Sequence, residues 1–253
     1  REPDCDAVRL SASQKELMDI ALETGYMQYY FQSYETLKNY YFNNGQPIKS
    51  LEIIQDMRSD AIARDNEYGK WLSDSYMSDY YSNYGVRKTA RRYLSRIIDV
   101  YNSTDDATIR RQSISPYYIR YAQTFVYDFD SIRYYLDLAW KHTVLKEDTV
   151  KCQREYAKLY AALGDYDNYA KYRVLCLGSN LRSAIGRLTP RLFECVDSMY
   201  SGNWNYYYPT LRRSMMEDDL RLLSIIAESL GLRDIAIAIK DICLDAQAND
   251  LSY

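Results

Sequence analysis

The sequence predicts an all-α fold: about six antiparallel helical hairpins stacked as a solenoid. Three observations predict it. Gly45, Gly85, Gly164 and Gly231 each separate two amphipathic segments, in a period of about forty residues. Each of these glycines is followed five or six residues later by a small residue, at Ser50, Ala90, Ala170 and Ala236. No segment alternates apolar and polar residues for long enough to read as a strand.

The elements follow in order. Residues 1–12 read as a loose lead-in, and residues 13–253 as one repeat domain with a weak internal break at 102–107. Ser13, with Glu16 three residues on, is a capping-box pattern. It predicts a helix that stops at Gly25, a residue suited to a left-handed cap. Residues 26–43 read as the next helix. Asn43 to Pro47 is a turn, with Pro fit for the first turn of a return helix over 48–64. Residues 66–83 and 86–101 form a second pair around Gly85. Asn102-Ser103-Thr104-Asp105-Asp106 is the most polar stretch and the best internal boundary. Pro116 opens a helix to about Val126, and Asp128 turns the chain into a helix over 131–142. Residues 148–163 and 166–177 pair around Gly164. Pro190 opens a less regular pair around Gly202, and 217–230 with 233–247 close the chain.

Composition narrows the function. The net charge is −3 and the isoelectric point is near 5.4, which argues against nucleic acid as the main partner. No apolar run is long enough to cross a membrane, since Leu220 to Ile242 is interrupted by Arg221, Glu228, Arg233 and Asp234. Arg1 is not a Met and no leader pattern follows it, which predicts a chain cut from a longer precursor. There are 29 tyrosines against five phenylalanines. Tyr couples a large apolar ring to a polar tip, so most are expected between helices and a minority on a recognition surface.

Catalytic constellations are not evident. His142 stands alone at a predicted helix end, where the helix dipole favours it. Cys5, Cys152, Cys176, Cys195 and Cys243 include no CxxC pair, and the last four fall on helical segments, where they read as small apolar residues. The acid pairs Asp105-Asp106 and Asp218-Asp219 precede helices, as caps do. No phosphate-binding glycine loop occurs. These features predict a non-catalytic protein with neither metal nor cofactor.

At the level of individual positions the chain resembles the tetratricopeptide repeat. Tyr34, Leu37, Tyr41, Gly45, Ser50, Ile54 and Met57 match its pattern of large and small residues, with Lys38 departing where a small residue is usual. Met77, Ser78, Tyr81, Gly85, Ala90, Leu94 and Ile97 give a second copy. Tyr156, Ala157, Tyr160, Gly164 and Tyr166 give another, and Leu220, Leu223, Ser224, Ala227, Gly231 and Ala236 the last. Phe129, Ile132, Leu136 and Ala139 carry a fainter one. The resemblance implies a right-handed superhelix whose first helices line a concave face. Carried over by position, that face holds Gln32, Glu35, Asn39, Phe42 and Asn43, then Leu72, Ser75, Asp79, Ser82 and Asn83. In a later repeat it holds Lys151, Arg154 and Lys158, with Ala161 and Ala162. The amides and hydroxyls suit a peptide backbone. The three cations, spaced three and four apart, suit a carboxylate, unless they pair with Glu155 and other acids nearby.

A narrower likeness joins Met57-Arg58-Ser59-Asp60-Ala61, Asn66-Glu67-Tyr68-Gly69, Tyr80-Tyr81 and Gly164-Asp165-Tyr166-Asp167. It is similar to helical-repeat regions of Bacteroidetes-type sensor kinases and regulators. That likeness implies a periplasmic sensory region of a bacterial signalling protein, binding a protein or peptide. Two alternatives stand beside it: a free-standing adaptor, and a cytoplasmic peptide-sensing regulator whose output domain lies elsewhere.

Overall fold

The computed structural model describes residues 5–186, 189–203 and 217–250, with side chains for all of these but Glu217 and residues 245–250. Every regular element among the described residues is a helix. The chain forms two compact units, Arg1–Thr124 and Phe125–Tyr253.

The first unit contains α1 (Cys5–Thr24), α2 (Met27–Gln32), α3 (Tyr34–Asn43), α4 (Pro47–Ala63), α5 (Glu67–Asn83), α6 (Arg87–Ser103), α7 (Ala107–Arg110) and α8 (Ser115–Gln123). Two boundaries differ from expectation. Helix α1 starts at Cys5, so Ser13 lies inside it and the expected lead-in is largely helical. Ala7, Gln14 and Ala21 are its buried residues, seven apart, and this seam carries the helix past the capping-box pattern. The expected helix over 26–43 is interrupted at Ser33 alone. That buried hydroxyl donates to Tyr30 O at 2.7 Å and competes locally with the helical ladder.

The turns share one geometry. At Gly45 the glycine N–H donates to Phe42 O (3.2 Å) and the next N–H donates to Tyr41 O (2.9 Å), with the glycine at φ +68°. These are the paired bonds of a Schellman cap, which needs one left-handed residue. The same pair of bonds recurs at Gly85, Gly164, Gly202 and Gly231. It also occurs at Asp65, where a non-glycine residue takes φ +47°. Gly45, Asp65 and Gly85 thus stand twenty residues apart, bracketing helices of 17 residues each. The forty-residue glycine period is a twenty-residue helix-and-turn period with one turn written as aspartate.

Consecutive helices pack on one another in this unit: α3 on α4, α4 on α5, and α5 on α6. Ile54, Met57 and Ala61 of α4, Tyr68 and Trp71 of α5, and Leu94 and Ile97 of α6 are buried in its interior. Trp71 Nε1 donates to Ile97 O at 3.2 Å, satisfying the indole away from water. The polar stretch at 102–107 lies inside this unit as the connection between α6 and α7. It is held by Thr104 Oγ1 donating to Glu67 Oε2 (2.8 Å) and by Asp106 capping α7. The division between units falls later, at Thr124 and Phe125.

The second unit contains α9 (Phe129–Lys141), α10 (Lys146–Ala162), α11 (Tyr166–Leu177), α12 (Arg182–Ile185), α13 (Thr189–Tyr200), α14 (Glu217–Ser229) and α15 (Arg233–Asp250). Asp128 and Asp165 cap α9 and α11 by accepting from backbone N–H groups. Helix α10 packs against α9, α11, α12 and α14. Its residues Ala157, Ala161 and Ala162 are buried, and these small side chains permit the close approach. Leu192, Phe193, Leu223, Ile226 and Ile239 complete the interior. The helix expected after Gly202 falls on residues 204–216, outside the described residues.

Candidate functional site

The residues expected on an inward binding face divide sharply in their surroundings. Those in the second unit are closed over. Lys151 pairs with Glu147 at 3.1 Å. Arg154 donates from Nε to Glu155 (2.7 Å) and from Nη1 to Ala184 O of α12 (3.2 Å). Lys158 lies 3.4 Å from Asp219 of α14 and 3.9 Å from Glu155, with its side chain only 22% exposed. Glu155 raises the Arg154 guanidinium further, above its already high value. Ala161 and Ala162 are buried. Arg154 and Lys158 therefore belong to an internal charge network, while Lys151 keeps a partly exposed pair along its own helix. Packing of α12 over Arg154 and of α14 over Lys158 desolvates these two cations, and desolvated charges need partners.

The middle of α5 is covered as well. Leu72 and Ser75 are buried rather than exposed. Ser75 Oγ donates to the Tyr117 hydroxyl of α8 at 3.2 Å, and Asp79 is ion-paired to Arg120 of the same helix. Burial pulls the Arg120 guanidinium down to about 10. Gln32 is half-buried and donates to the Tyr68 hydroxyl at 3.1 Å. These are packing roles.

What stays open is the end of the first unit where α3 and α5 finish. Glu35, Asn39, Asn43, Ser82 and Asn83 are exposed there or along α3. Asn39, Phe42 and Asn43 share one face of the last turn of α3, being three and four residues apart. The half-buried Phe42 ring meets the Tyr84 ring edge-on at 6.3 Å between centroids. Tyr84 is the C-cap of α5, is 49% exposed, and follows Asn83 directly.

Tyr84 is the first ring of a band. It packs against Tyr80 at 4.9 Å, Tyr80 against Tyr81 at 5.5 Å, and Tyr81 stacks on Tyr93 of α6 at 5.7 Å. The Arg96 guanidinium lies 4.5 Å over the Tyr93 ring. An aromatic ledge thus crosses from α3 over α5 to α6, with amides beside it. Burial, the main cause, raises the Tyr80 hydroxyl above its ordinary value. Phe42, Asn39, Asn43 and Asn83 follow from the sequence, but the expected minority of tyrosines on a recognition surface was not assigned to particular residues. The signal for Tyr80 and Tyr84 was their four-residue spacing just before Gly85, which puts both on one face at a helix end.

Lys38 explains one departure from the repeat pattern. Its ammonium sits 4.6 Å over the Tyr76 ring, a cation–π contact that a small residue could not make. Burial lowers the Lys38 ammonium and raises the Tyr76 hydroxyl strongly.

The remaining reactive groups are placed structurally. Cys152, Cys176 and Cys195 are buried, and burial pushes the Cys176 and Cys195 thiols up to about 11, so both stay protonated at neutral pH. His142 is the C-cap of α9, its N–H donating to Leu138 O and Ala139 O. No helix among the described residues is long and apolar enough to cross a membrane. Comparison with family models, with curated proteins and with solved structures finds no match to this chain.

Proposed function

We propose that this chain is a non-catalytic helical-repeat module that binds a peptide or protein at the open end of its first unit. The observation that carries the reading is the Phe42–Tyr84 pair, two partly exposed rings joining the ends of α3 and α5 beside Asn39, Asn43 and Asn83. Aromatic rings with few rotatable bonds give a ligand large contact area at low entropic cost. The adjacent amides can donate to and accept from a peptide backbone. In this reading the hairpins form a tetratricopeptide-like, right-handed solenoid, and the twenty-residue turn period of α4 and α5 supports it. The wider role is the sensory or interaction region of a bacterial signalling protein, on the extracytoplasmic side. Ligand capture would act by favouring one curvature of the array over another, which requires different affinity for the two.

The test is to select binders from a displayed random-peptide library on the full chain and map one by hydrogen exchange. Protection concentrated at 39–46 and 80–90 is expected. Protection confined to α9–α15 would place binding elsewhere and overturn the assignment.

A further inference from the structure

Helix α6 carries Arg87, Lys88, Arg91, Arg92 and Arg96, with Asp99 as its single acid. These cations are not equivalent. Arg91 is committed to packing, with Nε and Nη2 each 2.9 Å from Thr124 oxygens. Lys88, Arg92 and Arg96 recur every fourth residue and are all exposed. At 1.5 Å rise per residue they form a row about 12 Å long with charges about 6 Å apart.

The row is under-compensated. Asp74 is the acid beneath it, and it serves two guanidiniums: Arg58 of α4 and Arg96 at 2.9 Å. Among the described residues, Lys88 and Arg92 take part in no ion pair. Like charges four residues apart on a helix repel each other. The positive end of the α6 dipole adds to Lys88, and no side chain caps that end, whose N-cap is Val86. The row also adjoins the aromatic ledge, because Arg96 covers the ring of Tyr93, which stacks on Tyr81.

We infer that the row Lys88–Arg92–Arg96 receives an acidic segment of the protein ligand whose carboxylates occupy alternate residues. The inference rests on the reading of this unit as a peptide-binding module. Alternate side chains of an extended chain lie about 6.6 Å apart, close to the spacing of the row. Arg–carboxylate contacts are charge-assisted and well suited to planar recognition. A peptide fits better than a broad polyanion. The row occupies one face of a single helix, and the whole chain carries −3. Duplex nucleic acid and anionic membranes reward a wide basic face instead.

The probe is a fluorescein-labelled extended peptide, an aromatic residue followed by three glutamates at alternate positions, and its glutamine counterpart. Binding to the full chain is read by anisotropy. The glutamate peptide is expected to bind at least tenfold more tightly than the glutamine peptide, and to weaken as salt rises. Arg92→Glu should weaken the glutamate peptide at least tenfold without lowering the melting temperature, while Arg92→Lys retains most of the affinity. Failure of the glutamate peptide to bind, equal affinity for both peptides, or indifference to Arg92→Glu overturns the inference. So does stronger binding of duplex DNA or phosphatidylserine vesicles than of the peptide. Equal affinity for both peptides that still falls with Phe42→Ala removes the acidic-segment inference and leaves the binding surface standing. Sensitivity to Arg92→Glu without sensitivity to Phe42→Ala does the reverse.

Discussion

The Phe42 ring of α3 meets the Tyr84 ring of α5 edge-on, 6.3 Å between centroids, at the end of the first unit where the flanking asparagines are exposed. This one contact joins the end of α3 to the end of α5.

Lys158→Glu distinguishes the open end of the first unit from the charged face of α10 as the ligand face. It sets a new carboxylate against Asp219 and Glu155, which now pair with Lys158 at 3.4 and 3.9 Å. Loss of a half-buried pair with added repulsion should cost about 1–3 kcal/mol of stability. Peptide affinity of the first unit should stay the same. Thermal melting and a peptide titration on the same sample check both halves; an unchanged melting temperature with weakened binding would restore α10 as the ligand face.

Gly69→Ala tests the packing at the start of α5, the end of that helix away from the site. A Cβ at Gly69 would stand 2.7 Å from Phe31 Cζ and 2.8 Å from Ala61 Cβ, closer than van der Waals contact allows. Overpacking of this kind costs about 1–3 kcal/mol. A lowered midpoint in urea unfolding is the expected result.

The turn at Asp65 gives a prediction of opposite sign. Its backbone sits at φ +47°, where glycine is free and an L side chain is strained. Asp65→Gly relieves that strain and gives up a bond to Lys70 from an exposed carboxylate. A higher melting temperature is expected. Gly85→Ala places a side chain at φ +68° and should cost about 1–2 kcal/mol of stability, lowering the melting temperature.

Stability should fall on the alkaline side. Burial, the largest cause in each case, holds the Cys176 and Cys195 thiols up to about 11, from 9.0, and the Tyr117 hydroxyl up to about 12, from 10.0. Tyr34, Tyr76, Tyr156 and Tyr169 are raised further still. The folded state therefore binds more protons than the unfolded chain above pH 9. The stabilisation is complete below the unfolded values and is lost as pH climbs through the folded ones. Urea midpoints should decline progressively from about pH 9 to about pH 12, with tyrosinate absorbance appearing together with unfolding. A flat midpoint across this window would contradict it.

Much of the helical layout was legible because its determinants are local. Gly45, Gly85, Gly164, Gly202 and Gly231 mark real left-handed caps, and Pro47, Asp128 and Asp165 mark real starts. The break at residue 65 was legible from helix lengths, but its left-handed cap was not, because aspartate is tolerated at positive φ without announcing it. The start of α1 was misplaced because a buried seam of Ala7, Gln14 and Ala21 outweighed one capping pattern. The site was only half legible. Phe42, Asn39, Asn43 and Asn83 followed from helix position. The fate of Lys158, Arg154 and Ser75 depended on which distant helix packs over them, and no local pattern carries Asp219, Ala184 or Tyr117 to those positions.

The most direct test of the binding surface is a calorimetric titration of a library-selected peptide against the full chain and against Phe42→Ala/Tyr84→Ala. The account predicts at least a tenfold loss of affinity, about 1.4 kcal/mol, with helicity and melting temperature nearly unchanged. Equal affinity in a folded double variant would contradict it.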